Sequence, residues 1–195
     1  MTAVGPSAPP APRRIPGEQG TWVFLFGDML VFGVFFATFM VERAKAPAVF
    51  DAARKTLHLN IGLVNTLVLL TSSLLVVAAV GGIRTGARTI AARALWGAIG
   101  CGVLFVALKV TEYVLLAGAG HSPGDNNFYL YYFILTGLHL LHVLIGIVVL
   151  VLLLTQTRRT ELSATRLAVI EGGGCFWHLV DLLWIVLFPL LYLVS

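Results

Sequence analysis

The chain has 195 residues, 58% of them hydrophobic and 11% charged, and a formal net charge of +4. An ordinary soluble domain is roughly 25% charged, so this balance excludes a water-soluble globular enzyme and points to an all-α, polytopic membrane protein. Basic residues sit between apolar runs and form no stripe, which argues against a nucleic-acid partner.

Residues 1–17 are rich in Pro and Ala and carry Arg13 and Arg14. They predict a disordered tail ahead of one membrane domain over 18–195. No short apolar core with a small-residue cleavage site precedes that domain, so no cleaved signal peptide is expected. Five apolar runs then follow, near 21–41, 61–83, 94–118, 128–154 and 173–194. Each reaches the ~20 residues that cross a hydrocarbon core of about 30 Å as a helix. The alternation of membrane β-strands is absent. Short loops predict antiparallel neighbours. Gly81-Gly82 and Gly172-Gly173-Gly174 fall at span ends and read as turns or close-packing sites. Cys101 and Cys175 lie in or beside apolar runs with no CxxC spacing, and read as small buried hydrophobes without a disulfide.

Charge bias predicts the orientation. The tail, second loop and fourth loop carry Arg13, Arg14, Arg84, Arg88, Arg93, Arg158, Arg159 and Arg166; the first loop carries Arg43, Lys45, Arg54 and Lys55. The richer side is cytoplasmic, which puts the N-terminus inside and the C-terminus in the periplasm. Trp22, Trp96 and Trp177 then fall at cytoplasmic span ends, and Tyr113, Tyr129, Tyr131, Tyr132 and Tyr192 towards outer ends, as interfacial belts would have them.

Ionisable groups inside the spans are the candidate functional residues, since each Asp, Lys or Arg costs about 2.5–3.5 kcal/mol on insertion scales. Asp28 lies about 12 Å into the first span at 1.5 Å per residue. Asp181 lies at similar depth in the fifth, with His178 slightly shallower, and His139 and His142 fall near the midplane of the fourth. His139/His142 and His178/Asp181 are each three residues apart and share a helix face, so these five residues predict one polar cluster, structural or proton-linked, between three helices. Lys109 and Glu112, with the same spacing in the third span, predict a second, self-neutralising pair. Glu171 and Trp177 read as a helix-start carboxylate and an interfacial, lipid-facing indole. Asn65, Thr66, Ser72 and Ser73 are helix–helix bonding types.

Three readings of the cluster stand open on these residues: a structural or regulatory lock in a non-catalytic subunit, a haem or metal site, and a relay in a proton-coupled transporter. Against metal, paired ExxH carboxylate motifs are missing. Against a transporter, five spans offer no paired inverted repeat. No phosphate loop or nucleophile elbow is present.

Gly27-Asp28-Met29 with Phe32 and Phe35-Phe36, Leu63-Val64-Asn65-Thr66 with Ser72-Ser73, and Glu112-Tyr113 occur in order. So do Thr136-Gly137-x-His139-x-x-His142-Val143-x-x-Gly146 and Trp177-His178-x-Val180-Asp181-x-x-Trp184. Together they resemble subunit III of the haem-copper oxidase (cytochrome c oxidase) superfamily in its short five-helix form, from about Gly20 to the C-terminus. Asp28 stands where that family carries a carbodiimide-reactive glutamate. The resemblance implies a bacterial inner-membrane subunit without haem, copper or other cofactor of its own. It would pack beside a catalytic haem-bearing subunit, bind phospholipids, and support sustained turnover and proton uptake. Asp28 and the compact length look most like the branch that accompanies nitric oxide reductase, NorE. Self-association of the isolated chain is a further expectation.

Overall fold

In the computed structural model, residues 19–157 and 163–194 are described; the tail 1–17, with its expected disorder, lies outside them. Every regular element among these residues is helical: α1 (Gln19–Lys45), α2 (Pro47–Arg54), α3 (Leu59–Arg84), α4 (Arg88–Gly118), α5 (Asn127–Gln156), α6 (Ala164–Phe188), then a π-helical turn, Pro189–Leu193. Five helices are long and apolar enough to cross a membrane. In hydrocarbon every backbone N–H and C=O must be paired within the protein, and a helix does this inside one segment.

Local sequence sets the boundaries. Gly86 (φ +77°) and Gly120 (φ +84°) follow α3 and α4 in the left-handed conformation that ends helices. The Asn126 side chain caps α5 by accepting from the Tyr129 N–H, and Ser163 caps α6 by accepting from Arg166. Pro189 has no N–H to continue the α pattern. The chain turns there into π register, with Val194 N–H donating to Pro189 O at 2.9 Å.

Three boundaries differ from the sequence expectation, the first being that α4 starts at Arg88 rather than near 94, which takes Arg93 into the helix. The first loop holds an additional helix, α2, which opens on Pro47 and buries Phe50 and Ala53. At eight residues it is below spanning length, so a search for apolar runs passes over it. Helix α6 starts at Ala164 rather than near 173, and Gly172-Gly173-Gly174 lie inside it. These glycines are packing sites and not a turn. Successive helical positions point about 100° apart, so the three face three different helices. Added Cβ atoms would meet Thr21 Oγ1 of α1 at 3.2 Å, Val149 Cγ1 of α5 at 2.9 Å and Val80 Cγ2 of α3 at 3.3 Å. Gly81 and Gly82 likewise belong to α3 and do not form a turn.

Helix α6 is the axis of the bundle. It packs against α1, α3 and α5, while α4 packs against α3 and α5. Of its apolar window 61% is buried, against 17% for α1, which lies at the periphery.

Candidate functional site

The polar residues separate into distinct centres. The most enclosed is built on Lys109, which is fully buried. Its Nζ donates to Glu112 Oε2 at 2.7 Å, Tyr132 Oη at 3.0 Å and Tyr192 Oη at 2.9 Å. An ammonium has three donors, and all three are used. Tyr192 Oη donates in turn to Glu112 at 2.7 and 2.8 Å. The Tyr132 and Trp184 rings lie 4.8 and 5.2 Å from the ammonium, within cation–π range. The expected Lys109–Glu112 contact is present, and the aromatic cage around it is additional. A buried lysine needs three acceptors where glutamate supplies one, and that arithmetic is the signal that points to nearby tyrosines.

The second centre joins α1 to α5. His142 Nε2 stands 3.1 Å from Asp28 Oδ2. That oxygen has no aligned hydrogen bond, so the contact is a close approach across the α1–α5 seam. His142 Nδ1 lies 2.7 Å from Leu138 O. A carbonyl only accepts, so Nδ1 carries hydrogen. Phe32 closes the other side, edge-on to the imidazole at 5.4 Å.

The third centre joins α6 to α3. His178 Nδ1 meets Ser73 Oγ at 2.7 Å and lies 3.9 Å from Asp181 Oδ2. Asp181 is buried, with neither oxygen hydrogen-bonded. The single cluster expected from depth is therefore split: among the described residues no hydrogen bond or ion pair links Asp28–His142 to His178–Asp181. The two pairs face different neighbours of α6 and α5. His139 belongs to neither. It is fully buried between Phe105 and Trp184, at 5.6 and 5.2 Å, with both ring nitrogens unpartnered.

Glu171 and Trp177 also differ from expectation. With α6 starting at Ala164, Glu171 lies two turns inside it and pairs with Arg84 of α3. Trp177 is not lipid-facing but fully buried. Its Nε1 donates to Ser72 Oγ at 3.1 Å, and Ser72 donates to Ala98 O at 3.1 Å, tying α6, α3 and α4 in one chain of bonds. Of the tyrosines expected towards outer span ends, Tyr129, Tyr132 and Tyr192 are buried, their hydroxyls bonded to polar partners. Trp96 alone of the four tryptophans is largely exposed.

Among the described residues no three His, Cys, Asp or Glu side chains converge as a metal site would require. Lys109–Tyr132, Asp28–His142 and Ser73–His178 each cross a helix pair, an arrangement suited to holding helices in register.

Residues 17–195 match the family model described as cytochrome c oxidase subunit III. The chain is 28% identical over 185 residues to a heme-copper oxidase subunit I+III of Aeropyrum pernix, covering 91% of this chain but 22% of that longer protein. It is 29% identical over 177 residues to a cytochrome c oxidase subunit 3 of Thermostichus vulcanus, covering 90% and 86% of the two chains. With a quinol oxidase subunit 3 of Bacillus spizizenii it shares 30% over 179 residues, again 90% and 86%.

Proposed function

The chain belongs to the cytochrome c oxidase subunit III family, and from that premise we propose that it is a non-catalytic accessory subunit of a haem-copper-superfamily respiratory complex in a bacterial inner membrane. The observation that carries the reading is the family match over 17–195, joined to polar centres that pair helices. The partner is a catalytic haem-bearing subunit; the Aeropyrum relative, named as subunit I+III, supports that choice. Phospholipids fill the apolar surfaces between the two. The N-terminus lies in the cytoplasm and the C-terminus in the periplasm, as the charge bias requires.

Within the family, the branch accompanying nitric oxide reductase is the finer proposal, and it rests on Asp28. Compactness does not carry it, because the match covers 86% of both the cytochrome c oxidase and quinol oxidase subunits.

The test is purification of the tagged chain from its host membrane in mild detergent, with mass spectrometry and reduced-minus-oxidised spectra. A haem-bearing subunit should co-purify, and the haem signal should vanish when the chain is isolated alone. Nitric oxide reductase subunits in the eluate support the branch, and oxidase subunits refute it. Stoichiometric haem on the isolated chain would overturn the accessory reading itself.

A further inference from the structure

Asp181 has no role in the helix locks described above. It is 3% exposed, and neither carboxyl oxygen accepts a hydrogen bond. An ionisable group at membrane depth with no close hydrogen bond, only His178 at 3.9 Å, is costly to keep and marks a functional position.

The surroundings show how such a group could be reached. A groove of about 270 Å³ runs between α3 and α6, walled by Val77 and Val80 and lined by Arg84, Glu171, Cys175 and His178. Glu171, Cys175, His178 and Asp181 follow at spacings of four, three and three, so they lie along one face of α6. Glu171 and Arg84 form the mouth as an ion pair. His178 closes the inner end, with its side chain 37% exposed, and Asp181 lies directly behind it, Oδ2 at 3.9 Å from the ring.

We propose that this groove admits protons and that Asp181 is the proton-binding site at its end, with His178 as the relay. The proton comes from water at the mouth and is taken up by the imidazole. It then passes to Oδ2, within a small ring swing of Nδ1, and the ring returns to its neutral form; no electron moves. The remaining ionisable groups packed around α6 are engaged elsewhere or enclosed. Asp28 of α1 faces His142 of α5, and His139 of α5 is walled in by Phe105 and Trp184. Lys109 and Glu112 of α4 are closed in their cage with Tyr192 of the π turn. The inference stands on the groove alone and does not depend on the partner of the chain.

Infrared difference spectroscopy of the full chain in lipid vesicles tests it, reading the protonated-carboxyl stretch on a pH step and its downshift in D₂O. We expect a band that disappears in Asp181→Asn, survives in Asp28→Asn, and exchanges about a hundredfold more slowly in His178→Phe, the lower end of what a positioned acid–base group contributes. If His178→Phe fails to insert, Cys175→Trp plugs the groove with His178 intact and should slow the same exchange. A band unchanged in Asp181→Asn overturns the proposal, as does an exchange rate indifferent to both groove substitutions. Suppression of the band by Na⁺ at constant pH would instead make this a metal-cation site and also overturn it.

Discussion

The Trp177 indole fills the space that a side chain at Gly146 would occupy: a Cβ there would stand 2.6 Å from its Cε3 and 2.7 Å from its Cζ3. On the far side, a Cβ at Gly102 would stand 3.0 Å from its Cη2. The ring is thus clamped between α4 and α5 while its N–H reaches α3. Gly146→Ala should destabilise the bundle by about 1–3 kcal/mol, the usual cost of overpacking, read as a lower Tm of the detergent-solubilised chain. Gly137→Ala is the control, since nothing lies within 4 Å of its Cβ position. Equal losses in both variants would mean that helix flexibility, and not the Trp177 contact, is responsible.

The Lys109 cage makes an asymmetric prediction. Lys109→Met leaves Glu112 buried without its cation, and breaking one side of a buried pair costs about 3–5 kcal/mol. Replacing both partners removes the uncompensated charge. Lys109→Met/Glu112→Met should therefore be more stable than Lys109→Met alone, in a double-mutant cycle read by thermal unfolding. Tyr192→Phe removes one acceptor of Lys109 and the hydroxyl donor to Glu112, and should fall between wild type and Lys109→Met. Additive losses across the cycle would show that Lys109 and Glu112 are not coupled.

The contrast between these sites explains what could be read from the chain. Apolar run length is a property of single segments, and it located all five spans to within several residues at most ends. Spacing of three residues also reports within one helix, and so it found Lys109 with Glu112. Partners across helices need the rotation of each helix, and a segment apolar on both its lipid and protein sides hides that rotation. Depth alone therefore merged Asp28–His142 with His178–Asp181, which the structure separates. The burial of Trp177 has a different origin. Three glycines at the span end read equally as a turn or as close-packing sites, and the apolar run alone places the span near 173–194. Moving that start to Ala164 carries Trp177 from the interface into the core.

Helix α1 is the least buried span, and the Asp28–His142 contact ties it to α5. Asp28→Ala removes the carboxylate that faces His142 Nε2 at 3.1 Å, a loss of about 1 kcal/mol for a buried polar contact. Faster hydrogen exchange should appear in α1, with α3 and α4 unchanged. Uniform acceleration through all helices would instead make the pair a determinant of the whole bundle.

Outside the spans, the loop before α5 should respond to acid. Asp125 Oδ2 accepts from Ser122 N–H at 2.7 Å and Oδ1 from the Ser122 hydroxyl at 2.8 Å. Above all the backbone N–H, then the hydroxyl, and more weakly the nearby His121 hold the Asp125 carboxyl below the usual carboxylate range. A carboxyl depressed in the folded state contributes stability that is present above its unfolded value, about 3.9, and is lost as pH falls through the folded value. The Ser122 amide resonance should accordingly shift with a midpoint below about 3.9, and Asp125→Asn should abolish the shift. The group is exposed, so the effect is confined to the loop and the melting temperature of the bundle should not follow it. A midpoint at or above the ordinary aspartate value would show that Ser122 does not bond the ionised carboxylate in solution.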